Sequence, residues 1–361
     1  MTSLKGVHMK KVFAVTAAIM LLCMAGGSAS AGWTVVNLHP AGALESQAHG
    51  VSGGQQVGYA QFGHRLSHAG LWSGTAQSWV ELGGTCAWGV SGGQQVGEDY
   101  VGGIQAFLWS GTAESRMHLN PAGSYHSHAY GVSGGQQVGD AEVDYNFHAS
   151  LWSGTAESWV DLNPAGSIES CAYGVSGGQQ VGEADGHAGL WSGCKGSWVD
   201  LNPLRATRSV AQGISGGQQV GYAAFGHYPY DTTHAILWSG SAQRWVDLNP
   251  AGAAQSWAYG ISGGQQAGYA TIGDFNHAGL WNGTAKSWVD LHALLPVGVY
   301  SRSYANSIDV SGGEIWVAGS ADNNAMLWHY TPDAPVPEPS SLIALGALVT
   351  PLLTFRRRRG K

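Results

Sequence analysis

The pentapeptide Ser-Gly-Gly-Gln-Gln occurs at Ser52, Ser91, Ser133, Ser176, Ser215 and Ser262, and a decayed copy, Ser311-Gly312-Gly313-Glu314, follows. The starts lie 39, 42, 43, 39, 47 and 49 residues apart. A repeat of about 40–50 residues punctuated by glycine turns restricts a chain to propellers and solenoids, because one such unit cannot bury its apolar face alone and must stack on its neighbours. Glycine numbers 56 and tryptophan 16, while charged residues make up only 11%. That balance suits short strands and tight turns and disfavours a helical bundle. Between the two ends no 3.6-residue apolar period is sustained.

Each repeat reads as four short strands, in the first copy near 47–51, 56–61, 68–72 and 78–82. The turns Ser52-Gly53-Gly54 and Ser73-Gly74-Thr75-Ala76 are rich in residues that tolerate positive φ. The third strand recurs as Leu-Trp, at Trp72, Trp109, Trp152, Trp191, Trp238, Trp281 and Trp328. The fourth recurs as Trp-Val-Asp/Glu-Leu, at Trp79, Trp159, Trp198, Trp245 and Trp288, and drifts to Arg116-Met117-His118-Leu119 in one copy. The seventh copy stops at Leu327-Trp328-His329-Tyr330, without a fourth strand. That missing piece stands at the other end of the array, where Trp33-Thr34-Val35-Val36-Asn37-Leu38 matches Trp159-Val160-Asp161-Leu162. A linear stack has no use for this exchange; a ring must pair first with last. The expected fold is all-β, a seven-bladed β-propeller of four-stranded blades over residues 32–330, closed by an N-terminal strand completing the last blade. Asp161, Asp200, Asp247 and Asp290 on the outer strands are expected to discourage edge-to-edge pairing.

The unit Gly-Val-Ser…Val-Gly…His-Ala-x-Leu-Trp resembles the HAF family of probable extracellular repeats. His68, His148, His187, His234 and His277 supply its His-Ala; Gln105 and Asn324 depart from it, and only Phe107 supplies the phenylalanine of the family name. The resemblance covers about 33–330 and implies an extracytoplasmic β-propeller without an agreed activity.

Residues 1–31 read as a secretory signal peptide: Lys10 and Lys11 precede an apolar run, and Ala29-Ser30-Ala31 is a small-residue cleavage pattern. Its partners would be the Sec translocon and signal peptidase. At the other end, a proline-rich linker spans 331–336. Then come Pro337-Glu338-Pro339, an apolar run over 342–355, and Arg356, Arg357, Arg358 and Arg359. An apolar segment with a basic cap reads as a membrane segment whose tail stays cytoplasmic. Residues 337–361 resemble the PEP-CTERM sorting signal, which implies membrane anchoring of the precursor, processing by an exosortase, and a cell-surface or extracellular product.

The body, 32–330, holds 8 Lys and Arg against 21 Asp and Glu, a net charge of −13, which repels a phosphate backbone; no nucleic acid is expected. Cys86, Cys171 and Cys194 are an odd set with no disulfide framework, and Cys23 lies in the leader. The Ser-Gly-Gly and Ser-Gly-Thr turns share one face of a propeller and scarcely vary. The other face carries loops of differing length and chemistry, where binding usually resides. They supply the candidate ligand residues Asp99, Tyr100, Asp140, Glu142, Asp144, Tyr145, Asp185, Tyr228, Tyr230, Asp231 and Asp274. Their oxygens suit sugar hydroxyls or Ca2+; no cofactor and no metal site is otherwise expected. The repeated histidines stand too far from an axis to converge on a metal and are expected to bond within their blades. No nucleophile elbow appears, and Asp140, Glu142 and Asp144 are the only distinctive acid group. The expectation is therefore a protein that is not an enzyme and that binds polysaccharide or an envelope component. The alternatives are a carbohydrate-active enzyme, a glycosidase or lyase with acids in these loops, and a structural spacer.

Overall fold

The structure is a computed structural model that describes residues 32–63, 67–226 and 231–332. Residues 33–330 form one compact unit. Seven four-stranded antiparallel sheets make a seven-bladed β-propeller. In blade 1 the strands are Glu45–Ser52, Gln55–Gln61, Ser67–Trp72 and Val80–Glu81, from the axis outward. The inner strands of blades 2 to 7 are Cys86–Ser91, Ser127–Ser133, Ser170–Ser176, Ala206–Ser215, Ser256–Ser262 and Ser303–Ser311. Blade 7 takes its outer strand, Gly32–Asn37, from the start of the array, beside Asn324–Thr331. At this seam Leu38 donates its amide N–H to the Ala325 carbonyl oxygen at 2.8 Å, just as Leu82 does to Ala69 at 2.9 Å within blade 1.

Two faces follow from this strand direction. The turn face carries the Ser-Gly-Gly turns and the turns between third and outer strands. The hairpin face carries the second-to-third hairpins and the blade connections. On the turn face the second glutamine of Gly-Gly-Gln-Gln is a staple. Gln137 is fully buried. Its Nε2 donates to the Gly135 carbonyl oxygen at 2.9 Å, and its Oε1 accepts the Gly154 N–H at 2.7 Å. One side chain thus ties together the two turns of its blade. Gln56, Gln95, Gln180, Gln219 and Gln266 do the same. In the seventh copy the third strand runs on through His329 and Tyr330 to Thr331, where the other blades turn, and Ile315 replaces the glutamine. The motif decays where strand takes the place of the turn it would bind.

Between blades lies the core. The third-strand tryptophans are at most 1% exposed. Trp109, for example, packs on Val57, Leu71 and Leu82 of the preceding blade. Aromatic burial of this size, repeated around the ring, supplies much of the drive to close it. In blades 1, 4 and 6 the outer-strand tryptophan lies on a glycine just before the third-strand Leu-Trp. A Cβ at Gly70 would overlap the Trp79 ring, and the same holds for Gly189 under Trp198 and Gly279 under Trp288. Blade 2 solves the same space differently: Phe107 fills it from below, and Arg116 takes the place of the tryptophan.

The outer-strand aspartates do more than guard an edge. Asp200 and Asp247 accept from Nδ1 of His187 and His234 at 2.9 and 2.8 Å, and Asp290 from His277 at 2.9 Å. The repeated histidines therefore bond within their blades. Cys86 and Cys171 are buried and free, and Cys194 is exposed and free.

Candidate functional site

Every inner strand carries a β-bulge at one place, between Ala48 and Gly50 in blade 1 and between Ala129 and Gly131 in blade 3. The bulge pushes a carbonyl oxygen toward the second strand. Only glycine fits opposite it: a Cβ at Gly139 would overlap the His128 carbonyl oxygen. This is why the repeat reads Gln-Gln-Val-Gly. The next contact is between blades, where a Cβ at Gly131 would sit 2.7 Å from the Tyr173 carbonyl oxygen. Bulge and glycine together let the inner strands crowd the axis and aim the bulged residue into it.

The bulged residues are His49, Trp88, Tyr130, Tyr173, Gln212, Tyr259 and Asn306. With the following Gly or Ser of each blade, and the next Val or Ile of blades 2 to 7, they wall an axial cavity of about 490 Å³. A second cavity, about 340 Å³, adjoins it toward the hairpin face and shares Tyr259 and Asn306 with it; Tyr269, Tyr304, Arg302 and Asp322 are also in its wall. Sequence reasoning missed this ring. The signal was present, since one position changes from copy to copy (His, Trp, Tyr, Tyr, Gln, Tyr, Asn) inside a nearly constant Ala-x-Gly-Val/Ile-Ser frame.

Three carboxylates stand behind the ring on the second strands of blades 2, 3 and 4. They lie opposite Cys86, His128 and Cys171, on the hairpin side of the bulges. Glu98 accepts from Trp88 Nε1 at 3.1 Å, and Glu183 accepts from the Tyr173 hydroxyl at 3.3 Å. Asp140 accepts from His128 Nδ1 at 2.6 Å, and the other ring nitrogen lies 4.0 Å from Glu98. Burial raises the Glu98 pKa, against the His128 charge and the Trp88 bond that lower it. Burial works against a charged His128 ring, but the Asp140 hydrogen bond and the two carboxylates outweigh it and raise its pKa. Burial, helped by neighbouring carboxylates and thiols, lifts the Tyr130 and Tyr173 hydroxyls far above the ordinary tyrosine range. They therefore act as neutral donors and acceptors. His49 packs on Trp88 with ring centroids 4.4 Å apart, its Nε2 is buried without a partner, and burial lowers its pKa to about 4.

Of the loop residues singled out from the sequence, the structure brings only Asp140 to this site; it lies on a strand, 6% exposed. Asp99 pairs with Arg116 at 2.8 Å. Glu142 leaves one carboxylate oxygen buried and unpaired in blade 3. Asp144 and Tyr145 form a hairpin tip with positive φ, and Tyr145 is 95% exposed. Asp185 caps the backbone N–H groups of Ile168 and Glu169. Tyr100 and Asp274 are exposed, and Asp231 is half-buried. Among the described residues no hydrogen bond or ion pair joins two of these side chains, and no group of three or more His, Cys, Asp or Glu is placed to hold a metal ion. Tyr228 and Tyr230 lie outside the described residues, as do Ala29, Ala31, Pro337, Glu338, Pro339 and Arg356 to Arg359. Among the described residues no helix is long and apolar enough to cross a membrane.

No protein-family model and no curated protein matches the chain. Solved structures do. A puromycin-hydrolyzing peptidase from Mycobacterium tuberculosis is 13% identical with a TM-score of 0.50, over 76% of this chain and 48% of that one. An acylaminoacyl peptidase from Pyrococcus horikoshii is 8% identical with a TM-score of 0.49, over 81% and 52%. A puromycin hydrolase is 11% identical with a TM-score of 0.47, over 85% and 53%. The chain thus spans about half the length of these structures. At such identities the likeness is one of fold. It nevertheless corrects the expectation that the chain is not an enzyme: the puromycin-hydrolyzing peptidase shares the fold, so the architecture does not argue against catalysis.

Proposed function

We propose that the chain is an exported propeller, processed by an exosortase through its C-terminal tail, which binds a glycan of the cell envelope or extracellular matrix on its axis. The axial cavity carries the binding part of this reading. Its wall holds Trp88, Tyr130, Tyr173 and Tyr259, aromatic residues of the kind that stack on the apolar side of a pyranose ring, and Gln212 and Asn306, whose amides suit its hydroxyls. The exported, processed part rests on 1–31 and 337–361. A geometric fact fits it: the chain enters the propeller at Trp33 and leaves it at Tyr330, and both points are on the turn face. Among the described residues the exposed large apolar side chains sit on the hairpin face, such as Tyr125, Ile168 and Leu204, or on outer strands, such as Val80 and Val199.

Binding of envelope and exopolysaccharide fractions to the purified protein, wild type and Trp88→Ala, tests the site. Retention of a glycan fraction by wild type and its loss in the variant is expected; no retention of any fraction refutes the ligand assignment. Fractionation of cells expressing the full chain and a variant lacking Pro337-Glu338-Pro339 tests processing, which fails as a reading if both yield the same mature product.

A further inference from the structure

The residue after the second-strand glycine is Tyr59, Glu98, Asp140, Glu183, Tyr222 and Tyr269 in blades 1 to 6, but Ser320 in blade 7. Ser320 stands opposite Tyr304 of the inner strand. Its short side chain leaves room where the other blades carry a larger one, and the cavity of about 340 Å³ lies there. Ser320 is 2% exposed and lines that cavity, and among the described residues its Oγ has no hydrogen-bond partner. A buried hydroxyl of this kind must find its partner inside the cavity. Among the described residues Arg302 is the only lysine or arginine in the wall of either cavity. Its pair with Asp322 is loose, Nε standing 3.9 Å from Oδ1. The two Asp322 oxygens accept instead from the backbone N–H groups of Ser301 and Arg302, at 3.2 and 3.3 Å. The terminal guanidinium nitrogens of Arg302 have no hydrogen-bond partner among the described residues, whereas those of Arg116 and Arg208 reach Asp99 and Glu183 at 2.8 and 3.3 Å. The Tyr304 hydroxyl accepts from Asn276 Nδ2 at 3.1 Å, which leaves its own proton to donate. Asn306 is in the wall of both cavities and joins them.

We infer that the hairpin-side cavity is an acid subsite, which holds a uronic acid unit of the axial glycan with its carboxylate on Arg302 and its oxygens on Ser320 and Tyr304. This rests on the axial glycan reading and names the chemistry that reading leaves open. A guanidinium with two unspent terminal nitrogens matches a carboxylate through two parallel charge-assisted bonds. The hydroxyls of Ser320 and Tyr304 add donors beside it, so the wall is rich in donors with Asp322 already engaged by the backbone. The space is at the small end of ligand pockets, which suits one sugar unit. The body as a whole carries a net charge of −13, which disfavours a polymer charged at every unit. The glycan that fits is therefore one with acidic units spaced among neutral ones.

The test compares a retained exopolysaccharide fraction with the same fraction after its carboxylates have been reduced to primary alcohols, each titrated onto the immobilised intact protein. The untreated form is expected to half-saturate at a concentration at least about tenfold lower. Arg302→Gln is expected to bring the untreated form to the level of the reduced one and to leave the reduced form unchanged. Ser320→Tyr, which fills the cavity with the residue of blades 1, 5 and 6, is expected to do the same. Arg205→Gln removes one positive charge from an exposed blade connection outside both cavities and is expected to leave both forms as in wild type. Thermal unfolding verifies that each variant is folded; Arg302 is exposed, so Arg302→Gln carries the test if Ser320→Tyr does not fold. Equal binding of the two forms, or retention of a fraction that contains no uronate, overturns the acid subsite and leaves the axial glycan reading standing. A preference that survives Arg302→Gln, or that Arg205→Gln removes equally, overturns the assignment to this cavity. Retention of neither form by wild type overturns both readings.

Discussion

The guanidinium carbon of Arg116 lies 3.8 Å from the centre of the Phe107 ring. In blades 1, 4 and 6 the same space is shared by a glycine and a tryptophan. Blade 2 has exchanged both partners at once, and Asp99 holds the guanidinium in place at 2.8 Å. The pair should therefore be energetically coupled. Phe107→Gly is expected to cost about 3–5 kcal/mol through the void it leaves. Phe107→Gly with Arg116→Trp should recover at least about 1 kcal/mol of that, a coupling measured by a double-mutant cycle in denaturant. Strict additivity would show that the two positions do not share one space.

The buried glutamine staple is a second target. Gln137→Ala removes a donor and an acceptor at once and leaves the Gly154 N–H and the Gly135 carbonyl oxygen without their partner. The expected loss is about 1–3 kcal/mol in chemical denaturation. An unchanged midpoint would mean that water replaces both bonds.

Two glycines separate steric need from turn conformation. Gly139→Ala forces a Cβ onto the His128 carbonyl oxygen, next to the bulge. Gly154→Ala places one in open space at φ +91°. The first should lower stability by more than about 3 kcal/mol and the second by about 1–2 kcal/mol. Equal losses would remove the close approach as the reason for the Val-Gly pattern.

Acid should loosen the axis through His49. Its folded pKa is lowered from 6.5 to about 4 by burial. The unfolded chain takes up the proton first as pH falls, so the stabilisation is complete above pH 6.5 and is lost as pH drops to about 4. The full loss is about 3 kcal/mol. His128 acts in the opposite sense. Its folded pKa is raised, so its contribution is complete below the ordinary histidine value and is lost as pH rises through the raised one. Melting temperature against pH should therefore fall on the acid side in wild type and flatten there in His49→Gln; an unaltered acid limb would assign the loss to other groups.

The ring seam is a fifth test. Removing residues 32–38 strips the outer strand from blade 7 and uncovers the apolar packing made by Trp33 and Val35. Unfolding should become markedly easier and lose its single cooperative step; one unchanged transition would show that closure is dispensable.

Blade number, strand order and the seam were legible because repetition aligns the copies, and an incomplete copy next to a spare strand has one ring solution. The axial site was not. Variation in loops draws the eye to a binding face, whereas Trp88, Tyr130 and Tyr173 vary inside a strand whose neighbours are constant. Asp140 was grouped with Glu142 and Asp144 by proximity along the chain. The register instead pairs Asp140 with His128 on the inner strand and leaves Asp144 at the hairpin tip. Asp200, Asp247 and Asp290 look like edge protection in the sequence because their histidine partners are 13 residues away, across a turn that brings them together.

The strand Gly32–Asn37 precedes every other strand of the array and pairs with Asn324–Thr331, the last. During synthesis the first edge to emerge has nothing to join until the final one arrives. Six blades can assemble in the order they appear. The seventh waits, with Trp33 and Val35 uncovered for the whole interval, and Ser46 Oγ, which accepts the Ala325 N–H at 2.9 Å in the finished ring, waits with it. Time, as much as space, is closed at that seam: the ring is completed by its oldest piece.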